Sequence, residues 1–171
     1  MKQSLQKYFG ILLIALTLSA CGYHLRGAVD LPDGLKAIYL QAGSSSLRQA
    51  LQQALKSAKG EIVADKSQAG LVINIRREEL DRRVVSLDST GRANEFGLTY
   101  QLLYDLTDSQ GKLLAEHQQI EIHRNYFNNQ IDILAKNNEE SVIRQEMYRQ
   151  AVKRILSQAR AVLSDNHAPE T

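Results

Sequence analysis

The sequence predicts an α+β fold: a two-layer sandwich with two helices packed on one face of a mostly antiparallel sheet of about four strands. Three observations support this prediction. A helical repeat of apolar residues follows an early strand, a long alternating strand lies between two turn signals, and a longer helical repeat comes near the end of the chain. Amphipathic helices of this kind can cover one face of an antiparallel sheet and leave the other face polar.

A short strand and a helix are predicted first. Residues 37–41 form a strand candidate, and Gly43 with the three serines after it is typical of a turn that closes on a helix N-cap. Apolar residues then recur at helical spacing over 46–58, and Gly60 is a natural stop. The serine cluster resembles a nucleophile site, but capping explains it more simply.

The middle of the chain is predicted to consist of strands joined by turns. Alternation from Leu71 to Arg76 indicates a strand, which segment 82–87 continues or re-enters, and residues 88–91 have the composition of a hairpin turn. The next strand has the clearest pattern, because large apolar residues fill every even position: Phe96, Leu98, Tyr100, Leu102, Tyr104 and Leu106. We predict that this strand is central and that its even-numbered face is core.

A further strand and a long helix complete the predicted domain. The strand follows a turn at 108–111 and runs through about Phe127. The helix is predicted to begin at Asn137 as N-cap, with Glu140 three residues later as in a capping box. One stripe of the helix is apolar: Tyr148, Ala151, Val152, Ile155, Ala159, Val162 and Leu163.

The first twenty residues have the layout of a secretory signal peptide. Lys2 and Lys7 precede or flank an almost wholly apolar run over 8–18, which is too short for a comfortable transmembrane span. The run ends in Leu18-Ser19-Ala20-Cys21, which matches the bacterial lipobox, in which the cysteine receives lipid. The alternative is an unpaired thiol, since the chain has one cysteine and no internal disulfide can form.

These patterns divide the chain into four parts. We expect a signal peptide over 1–20, a lipidated Cys21 with a tether over 21–36, an α+β domain over 37–164 and a flexible tail over 165–171. The part after the signal peptide is long enough for one domain with a real core.

Charge and motif content exclude several classes of function. The chain has 21 basic and 19 acidic residues, and two of the basic residues, Lys2 and Lys7, lie in the signal peptide. The remainder is balanced, which argues against a nucleic-acid-binding protein. His117 and His123 would stand roughly 20 Å apart on one strand and cannot share a metal. With no phosphate loop, nucleophile elbow or metal-ligand cluster, the sequence predicts neither an enzyme nor a cofactor.

The basic residues have two interpretations. Four arginines lie close together in the second predicted strand, Arg92 follows the hairpin turn, and Lys136 precedes the predicted start of the last helix. One interpretation is a solvated surface with weak ion pairs. The other is a docking surface for a polyanionic ligand, because a basic side chain beside helix N-terminal amides makes a good phosphate site.

Three motifs of the chain are distinctive. The first is Cys21-Gly22-Tyr23-His24-Leu25-Arg26-Gly27 at the predicted lipidation site. The second is Phe127-Asn128-Asn129 followed by the segment 134–140, and the third is Gln145-Glu146-Met147-Tyr148 in the last helix. Together these motifs are specific, and with the order of elements across the whole domain they resemble the LptE (RlpB) family of lipopolysaccharide-assembly lipoproteins.

The resemblance implies an outer-membrane lipoprotein of Gram-negative bacteria that faces the periplasm. Such proteins plug the lumen of the β-barrel LptD, help it to fold and bind lipopolysaccharide on its way to the outer leaflet. Gly22 agrees, since an aspartate after the cysteine is the usual inner-membrane retention signal. Lys136 matches a lysine implicated in lipopolysaccharide binding. A second basic residue of the family precedes the hairpin glycine; Ser89 stands there, and the nearest basic residue is Arg92.

The resemblance therefore implies binding of lipopolysaccharide by Lys136 and Arg92, with LptD, lipopolysaccharide and the outer membrane as partners. Two alternatives stay open at this point. One is a periplasm-facing lipoprotein enzyme such as an envelope hydrolase, and the other is a purely structural plug that contacts no ligand.

Overall fold

The computed structural model describes residues 31–128 and 133–165, with side chains at all of these positions except 33, 133–138 and 165. The predicted signal peptide, Cys21 and residues 166–171 lie outside the described residues. Within residues 31–128 and 133–165 the structure has eight helices and strands and a 3-10 turn at Lys66–Gln68. In chain order these are α1 (Asp33–Lys36), β1 (Ala37–Gln41), α2 (Ser45–Ser57), β2 (Glu61–Ile62), β3 (Leu71–Leu87), β4 (Ala93–Thr107), β5 (Leu113–Phe127) and α3 (Ile133–Asp165).

The strands form one five-stranded sheet in the order β2-β1-β3-β4-β5. Strands β3, β4 and β5 make an antiparallel meander, and β1 pairs in parallel with both β2 and β3. The predicted α+β fold with a mostly antiparallel sheet is confirmed. The fifth strand, β2, has two residues and is too short to show an alternating pattern, so the sequence did not reveal it.

The even-numbered face of β4 is the centre of the core, as predicted. All six of its large apolar side chains are buried, and Leu102 is 1% exposed. Helices α2 and α3 pack on this face, and their buried residues are Leu47, Ala50, Leu51, Leu55, Met147, Ala151, Val152, Ile155 and Ala159. Strand β4 lies between β3 and β5, which confirms its central place. Leu31 and Leu35, in the segment predicted as a tether, are also buried in this core.

The predicted start is confirmed for helix α2 and wrong for helix α3. Helix α2 has Ser44 as its N-cap, whose hydroxyl accepts a hydrogen bond from the backbone N–H of Leu47 at 3.1 Å, so the predicted capping role of the serines is confirmed. Helix α3 begins at Ile133, and the prediction of Asn137 as its N-cap is wrong. Residues 133–136 include good helix formers, so the helix begins before the local capping signal at Asn137.

Candidate functional site

Arg92 lies at the end of a tight hairpin between β3 and β4. The carboxylate of Asp88 accepts hydrogen bonds from the backbone N–H groups of Thr90 at 2.8 Å and Arg92 at 3.0 Å. Gly91 has a φ of 80°, a conformation that glycine adopts without strain. Hydrogen bonds from the Thr90 hydroxyl and from the Arg92 backbone hold the pKa of Asp88 below its usual value. The turn therefore places Arg92 by its own local bonds.

Asn128 joins the end of β5 to this hairpin. Its side-chain amide donates a hydrogen bond to the carbonyl of Ala93, the residue after Arg92. Helix α3 begins five residues later at Ile133, and five residues span at most about 18 Å. Lys136 is in the first turn of α3. The backbone at Lys136 lies one helical turn before Glu140, while the side chain of Lys136 lies outside the described ones.

The carboxylate of Glu140, predicted as part of a capping box, connects α3 to the sheet. Glu140 accepts hydrogen bonds from the hydroxyl of Tyr126 and from Nε of Arg144 at 2.8 Å. Nε of Arg82 stands 3.6 Å from the same carboxylate. The guanidinium of Arg82 also lies over the ring of Phe96, 3.7 Å from its centroid. Glu140 therefore fixes the early turns of α3 to β3 and β5.

The protonation of this cluster follows from its contacts. Burial is the largest influence on Glu140 and raises its pKa, but the hydrogen bonds from Tyr126 and Arg144 outweigh it, so the pKa lies below the ordinary value. Burial, followed by the bond to Glu140, raises the pKa of Tyr126 to about 12. At neutral pH the cluster is a carboxylate held by a neutral phenol and two guanidinium groups.

The four arginines of β3 do not form one basic cluster. Arg76 pairs with the buried carboxylate of Asp105 at 2.6 Å, and Arg77 pairs with Glu79 at 2.8 Å. The exposed pair of Arg77 and Glu79 fits the interpretation of a solvated surface with weak ion pairs, whereas Arg76 neutralises a carboxylate that is only 3% exposed. Arg82 joins the Glu140 cluster, and Arg83 makes no ion pair within the part of the chain that the structure describes. The arginines of β3 that could contact an anionic ligand are therefore Arg82 and Arg83, in the half of the strand next to the β3–β4 hairpin.

The contacts of Glu140 were not predicted from the sequence. Arg144 stands four residues after Glu140, and this spacing alone indicates an ion pair on one helix face. The contacts to Tyr126 and Arg82 join residues far apart in the chain, so no local pattern signals them.

Within residues 31–128 and 133–165, no group of three or more His, Cys, Asp or Glu side chains could hold a metal ion. Over the same residues no helix is long and apolar enough to span a membrane.

Comparison with known proteins assigns the chain to a family. A family model described as "LptE: Lipopolysaccharide-assembly" matches residues 35–159. The chain belongs to the LptE family. The match covers the sheet, α2 and most of α3, so this LptE fold includes the Glu140 cluster and both candidate ligand-binding positions. LptE proteins are assembly lipoproteins and not enzymes, which confirms the prediction that the chain is not an enzyme.

Individual relatives agree with the family assignment. The LPS-assembly lipoprotein LptE of Photorhabdus laumondii is 28% identical over 148 residues, which cover 85% of this LptE chain and 80% of the relative. The solution structure of lipoprotein B from Nitrosomonas europaea superposes with a TM-score of 0.67 at 28% identity, covering 88% of this chain and 99% of the other. The crystal structure of rare lipoprotein B from Shewanella oneidensis has a TM-score of 0.60 at 26% identity, with 76% and 97% covered.

Proposed function

We propose that this LptE chain is an outer-membrane lipoprotein, anchored by lipid on Cys21 and facing the periplasm. In this proposal it plugs the β-barrel LptD, helps it to assemble and binds lipopolysaccharide during insertion into the outer leaflet. The observation that carries the proposal is the family match over residues 35–159, which spans most of the folded domain. An enzyme is excluded as an alternative by the family, and a plug without ligand contact is the remaining one.

The open face of the sheet supports the role as a plug. Its centre is a shallow groove of about 410 Å³ that is lined by polar and charged side chains: Glu79, Asp81, Arg83, Thr99, Gln101, Glu121 and His123. The interior of an outer-membrane barrel is polar, so a polar sheet face is a suitable surface to fill it. The 15 residues of β4 extend about 50 Å, long enough to run through such a lumen.

The end of the sheet that carries Arg92 and Lys136 supports lipopolysaccharide binding. The first turn of a helix offers backbone N–H groups and partial positive charge to an anion. In this proposal Lys136 in that turn and Arg92 in the hairpin hold two phosphate oxyanions of one ligand. This arrangement favours a ligand-binding plug over a purely structural one.

Affinity purification of the full chain tests the proposal. The tagged lipoprotein is extracted from membranes of a lipopolysaccharide-producing bacterium, and the recovered proteins and lipopolysaccharide are measured. We expect a β-barrel protein identified as LptD in a constant ratio to the bait, with lipopolysaccharide above the level recovered with an unrelated outer-membrane lipoprotein. Recovery of the chain without a barrel would contradict the proposal. Recovery of the barrel without lipopolysaccharide would leave a structural plug.

A further inference from the structure

Strand β5 forms a long free edge of the sheet. It has 15 residues, and in the part of the chain that the structure describes no strand pairs with its outer side. At the opposite edge β2 pairs with β1 only as far as Ile38, so the rest of β1 is also free. A free edge presents unpaired backbone N–H and C=O groups, which can pair with a strand of another chain. Both edges are therefore sites of aggregation unless something covers them.

The strand register shows which backbone groups of β5 point outward. The N–H of Asn128 donates a hydrogen bond to the carbonyl of Asn94 at 2.7 Å, so even-numbered residues of β5 bond with β4. In an antiparallel pair, hydrogen-bonded and non-hydrogen-bonded residues alternate. The register is unbroken from Gln118 to Phe127. Odd-numbered residues of this stretch, such as Glu121 and His123, therefore turn both their N–H and their C=O away from β4.

Two arginines occupy outward carbonyls in the middle of this edge. Nη1 of Arg154, on α3, donates a hydrogen bond to the carbonyl of Glu121 at 3.1 Å. Nη1 of Arg124, on β5 itself, donates to the carbonyl of His123 at 2.8 Å. Nη2 of Arg124 also donates to Oε1 of Gln150 on α3 at 2.6 Å. The two guanidinium groups thus connect the edge to the helix and engage two successive carbonyls that an added strand would need.

The other edge is covered in the same way. The N–H of Val63 donates to the carbonyl of Ile38 at 3.0 Å, so even-numbered carbonyls of β1 point away from β3. The next of them, at Leu40, lies beyond β2 and accepts a hydrogen bond from Nη2 of Arg48 on α2 at 3.1 Å. Each of the two main helices therefore supplies an arginine to its nearest free edge. A guanidinium suits this role because it has five donors and stays charged at every physiological pH.

We propose that Arg124 and Arg154 act as an edge guard, which keeps β5 from pairing with β5 of a second copy of this chain. Pairing would require both guanidinium groups to leave their carbonyls. It would also bring together like charges of the two copies, because a twofold-symmetric contact places the same residues on both sides. The inference is independent of the proposed ligand and barrel, since it depends only on the sheet edge.

Association of the full chain, purified in detergent without a partner protein, tests the inference. The double variant Arg124→Ala/Arg154→Ala is compared with Lys153→Ala/Arg160→Ala, which removes the same charge from exposed positions of α3. Sedimentation gives the number of chains in each particle, and hydrogen exchange with mass spectrometry gives the protection of the N–H groups over 119–125. Adding His123→Pro to the double variant removes one outward N–H, a substitution that edge strands tolerate.

We expect the Arg124→Ala/Arg154→Ala variant to associate at concentrations at least about tenfold lower than the control, because two carbonyls lose a competing hydrogen bond. The associated variant should show slower exchange over 119–125, and His123→Pro should restore single chains. Association equal to that of the control, with an unchanged unfolding midpoint, would overturn the inference. Association that leaves exchange over 119–125 unchanged, or that the proline does not reverse, would overturn it as well.

Arg154→Ala alone keeps the test decisive if the double variant does not fold. The position is exposed on α3 and alanine favours helix, so the fold should survive this change. Stronger association than that of Lys153→Ala, with slower exchange over 119–125, would support the edge guard. Association no stronger than that of Lys153→Ala would show that Arg154 does not protect the edge and would overturn the inference.

Discussion

The hydroxyl of Tyr126 in β5 donates a hydrogen bond to the carboxylate of Glu140 in α3. Tyr126 is paired with Phe96 across the strands, and Lys136 precedes Glu140 by one helical turn. This contact therefore determines how the start of α3 sits against the end of the sheet. Its carboxylate is only 20% exposed, so the hydrogen bond acts in a partly desolvated setting.

Removing either side of this hydrogen bond should destabilise the fold. Hydrogen bonds to charged groups contribute about 1.5–3 kcal/mol, so we expect Tyr126→Phe to lower the free energy of unfolding by roughly 1–3 kcal/mol. Glu140→Gln should cost more, because Arg82 and Arg144 also lose their partner. The double variant should cost less than the sum of the two, since the residues are coupled. Chemical denaturation measures all three.

Glu146→Gln is the matched control for this set. Glu146 pairs with Arg149 on the same helix, but both side chains are more than half exposed. Exposed pairs of this kind contribute about 0–1 kcal/mol, so the control should change stability little. A loss from Glu140→Gln no greater than that of the control would show that the Glu140 cluster does not anchor the helix.

Stability should fall in acid partly because of Glu140. Its pKa is lower in the folded state than the ordinary value of 4.5, so the folded state favours the carboxylate. The resulting stabilisation is present above pH 4.5 and is lost as the pH falls through the folded-state pKa. Unfolding measured from about pH 6 to about pH 3 should therefore show a shallower decline for Glu140→Gln than for the natural chain. Parallel curves would contradict this assignment.

The fold was predictable where the sequence has a strong period. Six alternating apolar residues defined the buried face of β4, and serine chemistry placed the start of α2 within one residue. The start of α3 was misplaced by four residues, because Asn137 and Glu140 form a local capping pattern that competes with helix formers before it. What Glu140 does instead depends on Tyr126 and Arg82, which only the tertiary fold brings near. A local sequence pattern contains no information on contacts between residues so far apart in the chain.

The core face of β4 can be tested directly. Leu102 is almost completely buried, and removing its side chain to Cβ should cost about 2–5 kcal/mol. Leu103→Ala is the matched control, because the next residue points to the other face of the sheet and is partly exposed. We expect its effect on the free energy of unfolding to be less than half as large. Equal losses would mean that the open face contributes as much packing as the core.

The proposed lipidation at Cys21 predicts a specific defect for one variant. Cys21→Ser should abolish palmitate incorporation and leave the precursor largely unprocessed, because the serine cannot receive the thioether-linked lipid on which processing depends. Metabolic labelling followed by electrophoresis measures both effects. The folded domain should keep its unfolding midpoint, since Cys21 lies ten residues before Leu31, the first buried residue among those that the structure describes. Undiminished label on the serine variant would contradict the lipid anchor.

Lys136 and Arg92 should contribute to lipopolysaccharide capture and not to folding. Charge-assisted contacts to phosphate are worth about 1.5–3 kcal/mol each, so Lys136→Asp should weaken capture by about tenfold or more, and Arg92→Asp should add to the defect. The unfolding midpoint and recovery of LptD should be unchanged. Lys153→Asp is the matched control, since this exposed lysine lies on α3 about 25 Å from Lys136.

The variants separate three outcomes for this end of the sheet. Weaker capture by Lys136→Asp with normal capture by Lys153→Asp supports a phosphate site formed by the first turn of α3 and the hairpin. Unchanged capture in the single and double variants would leave the chain as a structural plug. Loss of the folded state in Lys136→Asp would instead mean that this lysine has a packing role. Because Glu140 fixes the same helix start without belonging to the proposed site, Glu140→Gln should weaken capture less than Lys136→Asp while lowering stability more.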